Sequence, residues 1–224
     1  MTDIDALIAG FQSFHEEYIN DEDGRYSELA RYGAHSQILM IACCDSRVDP
    51  AIITNCSAGD LMVIRNMGNL VPPYDHESRF AETQAALEFA LCYLKVEHII
   101  VMGHSRCGGI RSLLTRLVDD FDPERALDRW TRIAEPAARE VLEEMPEADL
   151  DDQACACSRK ALATSLQNLR SYPWIAAALE KHSVQIHGWY FNLSNGELER
   201  YMPDTARFET LHLDPTATEV ALSN

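Results

Sequence analysis

Basic charge is scarce in this 224-residue sequence, which carries 36 acidic against 19 basic residues and a formal net charge of −17. Because nucleic-acid phosphates are bound through basic patches, this balance predicts no nucleic-acid partner. The sequence also lacks an apolar run of the roughly 20 residues that a membrane-spanning helix needs. Its first ten residues lack the basic and apolar regions of a secretory signal. We therefore expect a cytoplasmic protein with no membrane partner.

The cysteines do not form the pattern of a disulfide framework. There are seven, an odd number, and they are irregularly spaced in a chain of ordinary domain size. Such usage favours reduced thiols over disulfides, and reduced thiols are available as metal ligands.

Three short apolar runs have the length of strands that are buried on both faces: residues 37–43, 60–66 and 98–103. The second and third runs are separated by residues 78–94, which have helical periodicity and a possible N-cap at Ser78. This order predicts a right-handed crossover in a parallel sheet. Asn195-Gly196, between two later strand patterns, predicts a hairpin turn. The expected fold is α/β, with a mainly parallel central β-sheet flanked by helices and an antiparallel hairpin at one edge.

Helical patterns also occur at both ends of the chain and in its acidic middle. Residues 4–18 carry apolar side chains at helical spacing, so this amphipathic helix needs a core or a partner subunit to cover its stripe. Residues 119–152 are densely acidic, and Asp122-Pro123 predicts a helix start within them. Residues 158–182 read as two helices broken near Pro173.

Side chains that bind metals follow two of the predicted strands. Cys43 and Cys44 end the first run, and "HSRC" places His104 and Cys107 directly after the third. Because the carboxyl ends of parallel strands meet at one edge of the sheet, these residues are expected to share one crevice. Two thiolates and one imidazole suit zinc, and three protein ligands leave a fourth position open for chemistry. The periodicity does not decide between Cys43 and Cys44, because neighbours in a strand face opposite ways.

Each of these residues also has an ordinary structural explanation. A cysteine at the end of a buried strand is usually a small apolar side chain, and an isolated His-x-x-Cys pair is a weak metal signal. The pair Asp45 and Arg47 is the common pattern of a surface ion pair. Their occurrence together, at two strand ends of a reduced chain, favours a metal site.

The two motifs together, Cys43-x-Asp-Ser-Arg47 and His104-x-x-Cys-Gly-Gly109, resemble the signature of the β-class carbonic anhydrases. Three further segments resemble segments of that family: residues 65–74, 168–175 and 187–191. The resemblance extends from about residue 30 to residue 202.

The resemblance implies a zinc enzyme, with one Zn²⁺ per chain held by Cys43, His104 and Cys107. Cys44 then occupies a position that varies between Cys and Asp. Asp45 and Arg47 are implied to be catalytic. The substrate pocket implied by the resemblance comprises Met62, Met67, Phe89, Gly108 and Gly109.

The resemblance also implies the assembly of the protein. It implies an obligate homodimer, or a tetramer of dimers, with the active site near the subunit interface. Residues 1–36 are then an N-terminal helical arm that packs on the partner subunit. Residues 37–224 are a single α/β zinc-binding catalytic domain.

The implied reaction is the reversible hydration of CO₂ to bicarbonate and a proton by a zinc-bound hydroxide. As an ionised carboxylate, Asp45 only accepts hydrogen bonds, so it can hold the hydroxide by its proton and direct a lone pair at CO₂. Arg47 would fix Asp45 through a bidentate pair and keep it off the metal.

The resemblance leaves two other functions open, and one departure from the family pattern supports the second of them. Many members have a glutamine nine residues before the zinc cysteine, whereas Ala34 stands there in this sequence. Alanine has no hydrogen-bond donor for bicarbonate. The first alternative is a carbonyl sulfide or carbon disulfide hydrolase of the same fold. The second is a catalytically weak zinc-binding assembly protein.

Overall fold

A computed structural model describes residues 3–21, 24–77, 80–119 and 121–211. Its six strands form one sheet in the order β2-β1-β3-β4-β5-β6. The strands are β1 (Ile38–Cys43), β2 (Leu61–Asn66), β3 (His98–His104), β4 (Gln185–Phe191), β5 (Leu198–Met202) and β6 (Arg207–Thr210). The first four are parallel, and β5 and β6 continue the sheet in antiparallel fashion. The predicted α/β fold and the hairpin turn at Asn195-Gly196 are confirmed.

Nine α-helices surround or precede the sheet within the described ranges: α1 (Ile4–Phe14), α2 (Arg25–Tyr32), α3 (Pro50–Thr54), α4 (Ala81–Glu88), α5 (Gly108–Asp119), α6 (Ala126–Thr131), α7 (Glu135–Glu144), α8 (Leu150–Leu169) and α9 (Pro173–Glu180). A π-helical turn follows α1, and a second one, Phe89–Leu94, follows α4. None of these helices is both long enough and apolar enough to cross a membrane.

The core lies on both faces of β1 and β3, whose apolar runs are almost completely buried. One cluster packs β1 and β3 against α4, α8 and α9, and another packs the strand ends against α5, α7 and α8. This packing fixes the carboxyl ends of β1 and β3, from which the candidate site is built.

Several element predictions differ from the structure. Strand β2 was expected to be buried on both faces, but it lies at the edge of the sheet and is only partly buried in one chain. The helix expected from Asp122-Pro123 begins at Ala126, because residues 122–125 form a turn instead. Strand β6 was not predicted. The proposed N-cap Ser78 lies outside the described residues.

The N-terminal helix leaves its apolar side chains uncovered. In α1 no residue is buried, and Ile4, Leu7, Ile8 and Phe11 each expose more than half of their surface. The amphipathic pattern therefore formed a helix as expected, but its stripe does not pack on the core of its own chain.

Candidate metal centre

Strands β1 and β3 bring the predicted ligands to one edge of the sheet. The two strands are parallel neighbours, with Ala42 opposite Met102. Cys43 is therefore the last residue of β1 and His104 the last of β3, at adjacent strand ends. Cys107 follows in the turn that leads into α5. Parallel strand ends and the start of a helix are where α/β sheets form their sites.

The three side chains form a compact, buried group. Cys43, His104 and Cys107 are each 1% exposed. Their ligand atoms lie within 4.8 Å of one another, and no other group of three or more such side chains occurs in the described part of the chain. The two Sγ atoms are 3.8 Å apart. Two sulfurs bound to zinc at about 2.3 Å with a tetrahedral angle would be separated by about 3.8 Å, so the spacing fits this metal.

The orientation of His104 also fits a metal. Its Nδ1 lies 2.8 Å from the carbonyl oxygen of Ser105 and donates a hydrogen bond to it. That bond leaves the lone pair on Nε2, which is buried and has no hydrogen-bond partner among the described residues. A buried polar atom without a partner is costly, and a bound cation would remove that cost.

The turn after β3 is held from the neighbouring strand. The backbone N–H of Ser105 donates to the carbonyl of Phe191 at 3.0 Å, and the N–H of Leu193 donates to Ser105 Oγ at 2.9 Å. Strand β4 therefore fixes the carbonyl that orients the His104 ring.

The two thiols are electrostatically linked. A hydrogen bond with Cys107 lowers the pKa of Cys43, while the same bond and burial raise the pKa of Cys107. The backbone N–H of Gly68 donates to Cys43 Sγ at 3.4 Å and adds to the stabilisation of its thiolate. The two shifts favour a thiolate at Cys43 beside a thiol at Cys107, and a divalent cation that binds both sulfurs would release the remaining proton.

Asp45 and Arg47 form a bidentate ion pair beside the cysteines. Arg47 Nε donates to Asp45 Oδ1 at 2.9 Å, and Arg47 Nη2 donates to Oδ2 at 2.7 Å. The Arg47 guanidinium holds the pKa of Asp45 well below its usual range, so this carboxylate is ionised at neutral pH. Arg47 Nη2 also donates to the carbonyl of Arg106 at 3.2 Å, which ties the pair to the turn that carries Cys107.

The sequence analysis missed the role of Arg65, at the end of β2. Its guanidinium donates to the carbonyl of Cys43 at 3.1 Å, to the carbonyl of Asp45 at 2.6 Å and to the carboxylate of Asp49 at 2.7 Å. Arg65 therefore braces the segment that carries the first ligand and the ionised aspartate. The available signal was a charged residue at the carboxyl end of a third parallel strand.

A small cavity of about 230 Å³ opens next to the cysteines. It is lined by Cys43, Cys44, Asp45, Met67, Gly108, Gly109 and Leu127. The buried Cys43 faces Cys107, whereas the exposed Cys44 lies at the cavity wall, so the structure separates the two adjacent cysteines.

Not every predicted pocket residue reaches this cavity. Met67, Gly108 and Gly109 line it, whereas Met62 lines a neighbouring groove of about 530 Å³ along β2, to which Met67 also contributes. Phe89 lines neither space; it is half-exposed and stacks on Tyr93. Within one chain, Phe89 is therefore not brought together with the other pocket residues.

Comparison with known proteins finds one family. Residues 38–198 match the family model described as carbonic anhydrase. The chain is 36% identical to the carbonic anhydrase of Synechocystis sp. over 195 residues, covering 87% of this chain and 70% of that protein. It is also 36% identical to the chloroplastic β-carbonic anhydrase 5 of Arabidopsis thaliana, covering 92% of this chain and 67% of that one.

Solved structures give the same result. The β-carbonic anhydrase CcaA superposes with a TM-score of 0.83 at 34% identity, over 94% of this chain and 93% of that one. A tetrameric β-carbonic anhydrase from the fungus Sordaria macrospora superposes with a TM-score of 0.75 at 27% identity, over 87% of this chain and 94% of that one.

Proposed function

The chain belongs to the β class of the carbonic anhydrases, and we propose that it interconverts CO₂ and bicarbonate at a zinc ion held by Cys43, His104 and Cys107. The observation that carries this proposal is the buried His104 Nε2, which has no hydrogen-bond partner in the described part of the chain and is grouped with two sulfurs 3.8 Å apart. Zinc, when bound to such ligands, lowers the pKa of a coordinated water towards neutrality.

Asp45 and Arg47 are the catalytic residues in this proposal. The ionised carboxylate of Asp45 lines the cavity, so it can accept a hydrogen bond from a reacting water and orient that water towards CO₂. Arg47 occupies both carboxylate oxygens and keeps Asp45 beside the ligands rather than among them. The wall formed by Met67, Gly108 and Gly109 is mostly apolar, which suits an uncharged substrate.

An oligomer is the second part of the proposal. The uncovered stripe of α1 supports packing of residues 1–36 on a partner subunit, with residues 37–224 as the catalytic domain. The Sordaria relative is described as tetrameric, which supports a dimer or a tetramer of dimers here. A cytoplasmic location stays a prediction.

The other functions considered for the sequence are less well supported. The proteins matched are carbonic anhydrases, and they do not favour a carbonyl sulfide hydrolase. A catalytically weak zinc-binding assembly protein is disfavoured because the Asp45–Arg47 pair is retained with full bidentate geometry.

Zinc content measured on purified protein tests the ligand assignment. We expect one zinc per chain in the wild type and loss of most of that zinc, with loss of CO₂ hydration, in Cys43→Ala, His104→Ala and Cys107→Ala. Cys157→Ala is the matched control, because Cys157 in α8 is equally buried but is not a member of the ligand group. A ligand variant that keeps one zinc and native turnover would refute the assignment.

A further inference from the structure

Helix α6 contributes one side of the cavity, although neither the ligand set nor the catalytic pair uses it. Leu127, in the first turn of α6, lines the cavity with Cys43 and Asp45. Leu127 belongs to the acidic segment 119–152, for which the sequence pattern predicts no functional role. Its side chain is apolar and 38% exposed, so it stands at the open side of the cavity rather than in the core.

A buried ion pair fixes α6 on α5, the helix that starts beside Cys107. Arg116 Nε donates to both carboxylate oxygens of Asp128, at 2.7 and 2.8 Å. The Asp128 side chain is 3% exposed, and it also accepts the backbone N–H of Asp122 at 3.0 Å. Buried charges persist only when they are paired in this way, so the position of α6 is strongly specified.

A second contact joins α6 to the opposite wall of the cavity. Trp130 Nε1 donates to the carbonyl oxygen of Met67 at 2.6 Å. Met67 is also in close contact with Gly109, where an added Cβ would lie 2.6 Å from Met67 Cγ. Met67 is therefore held through its backbone by Trp130, and its side chain packs against Gly109.

We propose that α6 is a fixed wall that restricts the metal cavity to small molecules, with Leu127 as the specificity-determining residue. Asp128 and Trp130 are positioning residues that hold this wall. The cavity of about 230 Å³ has room for a molecule of three heavy atoms such as CO₂, and in this proposal a bulkier group on a zinc-binding ligand has to pack against the Leu127 side chain. This inference rests on the proposed zinc function.

The test is binding of two zinc ligands that share one metal-binding group and differ in bulk. Isothermal titration calorimetry of the zinc-loaded protein is made with methanesulfonamide and with benzenesulfonamide, and the quantity compared is the ratio of the two dissociation constants. Leu127→Ala opens the wall and Leu127→Phe narrows it. Leu142→Ala, in α7 and away from the cavity, is the matched control.

We expect Leu127→Ala to improve benzenesulfonamide binding by about tenfold and Leu127→Phe to weaken it by about as much, because obstructing groups in a pocket discriminate at this level. Methanesulfonamide binding and zinc content should stay near wild type in both variants and in the control. Trp130→Phe keeps the ring but removes the N–H donor, so the ratio should move in the same direction as in Leu127→Ala, by less.

Two results would overturn the inference. If the wild type binds zinc and both sulfonamides but the ratio is unchanged in Leu127→Ala and Leu127→Phe, the wall assignment fails and the proposed function stands. If the wild type binds neither zinc nor methanesulfonamide, the proposed function fails first, and the wall assignment fails with it.

Discussion

Asp45 lies two residues beyond the end of strand β1, and both of its carboxylate oxygens accept hydrogen bonds from the Arg47 guanidinium. The backbone N–H of Arg47 also donates to Oδ1 at 2.9 Å. Each bond favours the charged carboxylate, so Asp45 stays an acceptor across the neutral range. Because Arg47 bonds to both carboxylate oxygens and also to the carbonyl of Arg106, it fixes the position of Asp45 beside the ligand group.

Replacement of Arg47 should therefore abolish most of the CO₂ hydration activity without loss of the bound zinc. In Arg47→Ala we expect Asp45 to be released towards the metal as a fourth ligand, with zinc retained and turnover reduced by at least about 100-fold. Stopped-flow CO₂ hydration and zinc analysis of the same sample provide the measurement.

Arg111→Ala is the control for Arg47→Ala, since Arg111 forms an exposed ion pair with Asp151. Its activity should equal that of the wild type, because exposed pairs contribute little. Near-native turnover of Arg47→Ala with zinc bound would contradict the role given to the ion pair.

Among individual residues, the candidate ligands and Asp45 could be predicted from the sequence, whereas the contacts that hold them in place could not. The cysteine, histidine and aspartate types at two strand ends predicted the compact group, because parallel strand ends must meet. Periodicity left Cys43 and Cys44 equivalent, and only three-dimensional packing buries the first and exposes the second. The bracing role of Arg65 was not predicted, because two of its three partners are backbone carbonyls, which no side-chain pattern reveals.

Among the elements, α5 and α6 carry the least expected interaction, the buried pair of Arg116 and Asp128. Burial alone would raise the pKa of Asp128, but the N–H of Asp122 and the Arg116 guanidinium outweigh burial and lower that pKa. Ionised Asp128 therefore stabilises the fold above the unfolded-state pKa of about 3.9, and that stabilisation is lost as the pH falls through the lower folded-state pKa.

The direction of the Asp128 pKa shift gives a pH-dependent test of the ion pair between Arg116 and Asp128. Asp128→Asn should lower the melting temperature at neutral pH, because Arg116 loses its buried partner charge. The difference from the wild type should narrow as the pH falls below about 3.9 and through the lower folded-state pKa of Asp128. Thermal unfolding followed by circular dichroism over that range measures the difference. Asp151→Asn, in an exposed pair, should show almost none. An equal destabilisation by Asp128→Asn at every pH would count against the ion pair.

The existence of helices and strands was predicted more reliably than the residues at which they begin and end. The pattern of residues 78–94 gave a helix, yet its second half winds as a π-helical turn, which periodicity does not distinguish. The apolar content of β2 suggested a central strand, whereas its position at the sheet edge depends on strand order. Helix α6 begins later than the proline signal indicated, because Asp122 to Arg125 close a turn first.

For the molecule as a whole, the main feature outside the metal centre is the exposed apolar surface of α1. Ile4, Leu7, Ile8 and Phe11 lie on one side of the helix, and the core of the same chain covers none of them. Patches of this kind mark interaction surfaces. We attribute this one to a second copy of the chain, in agreement with the oligomer proposed above.

Charges placed on this stripe should dissociate the oligomer. Burial of a leucine or phenylalanine contributes about 1.5–3 kcal/mol, so the double variant Leu7→Glu/Phe11→Glu should raise the dissociation constant by at least about 100-fold. Analytical ultracentrifugation measures the shift to smaller species. Ser13→Glu, on the opposite side of α1, should leave the assembly intact. An unchanged oligomer in the double variant would place the interface elsewhere.

The measurement that tests the central claim most directly is stopped-flow CO₂ hydration by zinc-assayed wild-type protein, scanned from neutral to alkaline pH. We expect one zinc per chain and fast turnover, even though Ala34 stands where many members of the family have a glutamine. Full zinc occupancy with negligible turnover at every pH would contradict this expectation, and the site would then be a metal centre without carbonic anhydrase activity.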